Sequence, residues 1–157
     1  METLIRAVAQ AIAAFEGFFK AGTVAARNNN PGNLRAGPRA VSKDAQGYAV
    51  YATADDGWAD LYRQVDLNIS RGLNLREFFA GKPGVYPGYA PAEDANQPEN
   101  YAQFVATRVG VPVDQPLLSL AAPSVSPQLP GLETGSADYV LAAALALAGA
   151  AIVVLFA

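Results

Sequence analysis

The stretch FEGFFKAGTVAARNNNPGNLR, Phe15 to Arg35, sets one acid among aromatic residues and follows it with three asparagines and a Pro-Gly turn. Just upstream, Leu4, Ile5, Val8, Ile12, Phe15 and Phe19 recur at three- and four-residue steps, which predicts an amphipathic helix over residues 2–20. Counting back from Glu16 gives Ile12, Ala9 and Ile5 on one helical face, so the carboxyl borders the apolar stripe. Packing that helix strips water from Glu16 and favours its protonated form. A carboxyl in that state is suited to donate a proton.

Composition narrows the chemistry around it. The 157 residues allow one domain with a real core and an appendage. The chain contains neither Cys nor His, which excludes disulfides, thiolate nucleophiles, Ser-His-Asp and Cys-His arrangements and the commonest zinc ligands. Catalysis then rests on carboxylates, Tyr, Lys or backbone dipoles. No metal and no cofactor are expected. A net charge of −3 without a Lys/Arg run argues against a nucleic-acid partner.

The two ends differ in character. METLIRAVAQAIAAF carries Glu2 and Arg6 and lacks the layout of a secretory signal. At the other end, Tyr139 to Ala157 is 19 residues without a charge. As a helix it would span roughly 28 Å, close to a bilayer core. The expectation is a transmembrane helix over residues 138–157, with the lipid bilayer as partner through Tyr139–Ala157. A buried hairpin or core helix is the competing reading, suggested by the many alanines. Residues 119–137, rich in Pro, Ser and Gly, read as a loose linker, which leaves residues 1–118 as the folded domain.

Within that domain the pattern is mainly α with a small hairpin. Tyr48–Tyr51, preceded by Asp44-Ala-Gln-Gly47, reads as a short strand with its turn. Thr53-Ala-Asp-Asp56 reads as a helix cap leading into Trp58, Leu61, Val65 and Ile69 at helical spacing. Asn74 and Glu77 repeat the capping pattern before Leu75, Phe78 and Phe79. A last helix is expected from Pro98 to Arg108, with Gly110 as its stop. Trp58 falls on an apolar helical face and is expected in the core.

This order of parts resembles the lysozyme-like superfamily, in particular phage-associated muramidase and lytic transglycosylase domains. The resemblance is carried by AIAAFEGFFKAGTVAARNNNPGNLRAG, since those domains pair a helix-end Glu with an Asn-Asn-Pro-Gly-Asn-Leu segment. GYAVYATADDGWADL resembles the segment that closes their hairpin and opens the next helix. REFFAGKPGVYPGYAPAEDANQPENYAQFVATRVGVPVDQPL resembles their Tyr-Ala-Pro, Asn and Tyr run. The similarity covers residues 2 to 118.

The resemblance implies an α+β lysozyme-like fold and cleavage of the β-1,4 bond between N-acetylmuramic acid and N-acetylglucosamine in peptidoglycan, with glycan strands as partner. Glu16 would be the general acid. Asn29, Asn30, Asn33 and Arg35 would position Glu16 or bond the sugar, while turn chemistry alone also accounts for asparagines here. Tyr89, Asn96 and Tyr101 would form the opposite cleft wall, with core or turn packing as the alternative, most of all for Tyr101 beside Phe104 and Val105. Hydrolysis would call for a second carboxylate, for which Asp44 is the first candidate and Asp55 the next, Asp56 being occupied in a helix cap. A lytic transglycosylase needs none, because Glu16 can turn base and draw the proton from the sugar's own 6-hydroxyl.

A wall-cutting domain without an export signal but with a tail anchor fits the internal membrane of a bacteriophage virion, beside other virion membrane proteins, or otherwise the bacterial inner membrane. The alternative from another class is a catalytically inactive glycan-binding or structural virion membrane protein.

Overall fold

Helix α1, Glu2–Phe15, forms because its apolar positions fall on one side: Val8, Ala9, Ala11, Ile12 and Ala13 are buried. It stops at Phe15 rather than at the expected Lys20. Gly17 takes φ +72°, the Phe18 N–H donates to Ala13 O at 2.9 Å, and the Gly17 N–H donates to Ala14 O at 3.2 Å. That pair of bonds is a Schellman termination, for which a glycine is the natural residue. Glu16 is the helix's C-cap.

The structure, a computed structural model, describes residues 1–92 and 97–121, all within the compact unit Met1–Pro123. Asn96, most of the linker and the span Tyr139–Ala157 lie outside the described residues. No helix among the described residues is long and apolar enough to cross a membrane.

After α1 comes a helical turn that the sequence reading did not anticipate, α2 (Val24–Arg27), capped by the Thr23 side chain. An antiparallel hairpin follows, β1 (Ala40–Lys43) and β2 (Ala49–Tyr51), with a register shift between Ala40 and Ser42. Helix α3, Ala54–Ser70, begins on Thr53, whose hydroxyl accepts from the Asp56 N–H. Helix α4, Leu75–Ala80, begins with a full capping box between Asn74 and Glu77. Helix α5, Pro98–Val109, ends on Gly110 in the left-handed conformation.

The core lies where α1, α3, α4 and α5 meet, built on Val8, Ile12, Leu61, Val65, Ile69, Phe78, Phe79 and Val105. Helix α6, Leu117–Ala121, joins it. Leu117 is fully buried, its N–H donates to Leu73 O at 3.0 Å, and Leu120 packs on the same cluster. The folded part therefore runs past residue 118 into what composition assigned to the linker. Among the described residues the architecture is mainly α with one small two-stranded sheet.

Candidate active site

Glu16 owes its place to the termination of α1, which leaves the carboxyl at the rim of the core. It is half-buried. Two donors hold it: the Tyr101 hydroxyl donates to Oε1 at 2.7 Å, and Asn33 Nδ2 donates to Oε2 at 2.7 Å. Loss of water pushes its pKa above the ordinary carboxylate value, and the bonds from Tyr101 and Asn33 pull the other way. The negative pole of α1 at the C-cap also disfavours a charged carboxylate there.

Tyr101 is fixed by stacking. Its ring lies between Phe15, with centroids 3.9 Å apart, and Phe79, 4.1 Å apart. Burial raises its phenol well above the usual value, with the neighbouring Tyr89 and Glu16 adding to the effect, so it stays a hydrogen-bond donor.

The asparagine-rich segment is a folded loop in which each asparagine has a separate task. Asn28 donates to Asp44 Oδ2 at 2.7 Å. Asn29, at φ +51°, donates to the carbonyl of Tyr51 at 3.1 Å. Asn30 is fully buried; it donates to the carbonyls of Leu34 and Ala49 and accepts from the Leu34 N–H, all at 2.9 Å. Backbone bonds from Ala49 to Leu34 O and from Tyr51 to Asn28 O complete the attachment of the loop to β2. Only Asn33, at φ +46°, turns to Glu16. Its Oδ1 is buried and without a hydrogen-bond partner.

Beside Glu16 opens a cleft of about 310 Å³, lined by Gly32, Asn33, Arg35 and Tyr48 together with the segment from Pro87 to Pro91. Of the residues singled out in the sequence, Glu16, Asn33, Arg35 and Tyr89 line it. The Tyr89 hydroxyl donates to Gly32 O, and the ring stands edge-on to Phe78, Phe79 and Tyr101. Tyr101 stands behind Glu16 and outside the lining. Asn29 and Asn30 spend their amides on the scaffold.

Asp44 also has a scaffold task. Besides the Asn28 amide, it accepts the N–H groups of Gln46 and Tyr48 and so ties the hairpin turn; the Asn28 bond chiefly lowers its pKa. Asp55 is exposed in the first turn of α3, and Asp56 is bonded to its cap residue Thr53. Among the described residues, Glu16 is the only carboxylate in the cleft lining.

Tyr48 was read in the sequence only as a strand residue. The structure puts its ring in the lining and the Arg35 guanidinium over it, 4.6 Å from the ring centroid. An aromatic residue one step before a strand carries no signal of that kind by itself. No group of Asp or Glu among the described residues is arranged to hold a metal ion.

No family model matches the chain, and no solved structure does. The chain is similar to Protein P5 of Pseudoalteromonas phage PM2, with 29% identity in an alignment 119 residues long that covers 72% of this chain and 72% of that protein.

Proposed function

We propose that the chain cleaves the β-1,4 bond between N-acetylmuramic acid and N-acetylglucosamine in peptidoglycan, with Glu16 as its general acid. The observation that carries this reading is a half-buried carboxyl at the wall of an open cleft, with each oxygen held by one donor. Desolvation favours the neutral acid needed to protonate the glycosidic oxygen. The Tyr101 and Asn33 bonds stabilise the carboxylate left behind. Opposed effects of this kind suit a group that first gives a proton and then takes one.

With Glu16 as the only carboxylate among the described lining residues, the second step that fits is intramolecular. Glu16 removes the proton of the sugar's 6-hydroxyl, whose oxygen attacks the anomeric carbon and closes a 1,6-anhydro ring. The proton gained replaces the one given to the leaving sugar, and no water is consumed. An inverting or retaining hydrolase would use a second acid in the cleft.

Similarity to a phage protein supports a place in the virion, where an apolar tail over Tyr139–Ala157 would hold the domain on a membrane and present it to the wall at infection. The test is to incubate the full-length chain in detergent, and its Glu16→Gln variant, with purified peptidoglycan and to weigh the products. Anhydro-ended fragments that vanish with the variant support the proposal. Reducing ends would assign a hydrolase instead, and a folded protein that releases nothing would leave a glycan-binding or structural role.

A further inference from the structure

We infer that Arg35, braced on Tyr48, makes this cleft selective for glycans that carry a carboxylate beside the scissile bond, over uncharged N-acetylglucosamine polymers. The inference rests on the cleft being a glycan site, as proposed above.

The charge balance of the lining comes first. Among the described residues its ionisable groups are Glu16, which burial shifts towards its neutral form, Arg35, and the phenols of Tyr48 and Tyr89. Among the described lining residues Arg35 is the one basic side chain. A guanidinium so placed attracts an anion.

Arg35 is also free to bind one. Arg6, Arg39 and Arg76 are each paired with a carboxylate, at 2.8 to 2.9 Å in their bonds to Glu2, Asp60 and Asp114. Arg35 has no ion pair among the described residues. The acid of its neighbouring hairpin turn, Asp44, is already taken by Asn28 and two backbone N–H groups.

The guanidinium is nevertheless held in place. Its Nη1 donates to Gln46 O at 3.0 Å, and its Cζ lies over the Tyr48 ring. A methyl group at Gly47 would come within 3.5 Å of Nη1, so the side chain lies against the turn. One of its five N–H donors is used in this way, and the rest are available as a fork that matches the two oxygens of a carboxylate. Muramic acid carries such a group on its lactyl ether wherever no peptide is attached there. A polymer of N-acetylglucosamine has none.

Binding to the full-length Glu16→Gln protein in detergent separates the possibilities without turnover. The probes are muramic-acid-containing glycan strands, the same strands with their carboxylates converted to amides, and an N-acetylglucosamine hexamer. The expected result is about tenfold tighter binding of the carboxylated strands than of either neutral probe, a preference that shrinks in high salt. Adding Arg35→Gln should abolish the preference, and Arg35→Lys, which keeps the charge without the fork, should retain part of it.

Equal affinity for carboxylated and amidated strands overturns the inference, as does a preference unchanged by Arg35→Gln in protein whose circular dichroism is unaltered. A carboxylate preference in a chain whose Glu16 form cuts nothing supports the inference and defeats the proposed catalysis. Failure of the folded chain to bind any glycan overturns both.

Discussion

The hydroxyl of Tyr101 donates a 2.7 Å hydrogen bond to Oε1 of Glu16 across 85 residues of sequence, tying the end of α1 to the start of α5. This bond stabilises the charged carboxylate, so its removal raises the Glu16 pKa further. In Tyr101→Phe the ring should keep its stacking between Phe15 and Phe79, and the fold should survive. We expect the alkaline limb of the rate profile to move to higher pH and the peak rate to fall about tenfold through looser placement of the acid. A profile that keeps its shape and position would show that Tyr101 has no hold on the acid.

The same group links pH to stability. The pKa of Glu16 is higher in the folded chain than its ordinary value of 4.5, so the folded state binds the proton more tightly than the unfolded one. The stabilisation is fully present below about 4.5 and is lost as the pH rises through the folded-state pKa. Glu16→Gln has no such loss. Its thermal midpoint should exceed that of the parent at pH 8, and the gap should close towards pH 4. The unpartnered Oδ1 of Asn33 gives the new amide an acceptor once the Asn33 side chain turns over. A variant less stable than the parent at pH 8 would contradict the desolvation of Glu16, and activity should fall by about 10²–10⁴ in either case.

Much of this frame is legible in the sequence alone, because the signals are local. The caps at Thr53 and Asn74, the stop at Gly110 and the apolar steps of α1, α3 and α5 depend on neighbours a few residues away. What the sequence hid depends on distant partners. Leu120 sits in a Pro- and Ser-rich run that reads as linker, yet it packs on the core just after Leu117, whose N–H finds Leu73 O. The end of α1 required knowing that Gly17 turns left-handed instead of letting the apolar run continue to Phe19. Among the asparagines, only the fold decides that Asn33 meets the acid while Asn30 meets backbone.

That division of labour gives a direct comparison. Asn30→Ala would strand the Leu34 N–H and withdraw a donor from the carbonyls of Leu34 and Ala49, at a fully buried position. The expected loss is about 2–4 kcal/mol of stability, read by denaturant unfolding. Asn33→Ala should cost far less stability, lower turnover about tenfold and move the alkaline limb upward, since a donor to the charged Glu16 is gone. Similar losses of stability in the two variants would show that the segment acts as one structural unit with no separate role for Asn33.

Gly32 tests the floor of the cleft. A methyl group there would lie 2.5 Å from Tyr89 Oη and 2.8 Å from Leu61 Cδ1, closer than carbon approaches either atom without movement. Leu61 is fully buried in the core, and Tyr89 is set edge-on among Phe78, Phe79 and Tyr101, so neither has easy room to move. Gly32→Ala should therefore cost about 1–3 kcal/mol and should displace the Tyr89 side of the cleft. Turnover of the folded fraction should fall with it. Gly22→Ala is the control: a methyl there meets nothing within 4 Å, and only the φ of +82° resists it. That variant should lose on the order of 1 kcal/mol with turnover intact. If Gly32→Ala matched the parent in both unfolding midpoint and turnover, the close packing of Tyr89 on the asparagine loop would not be what shapes this cleft.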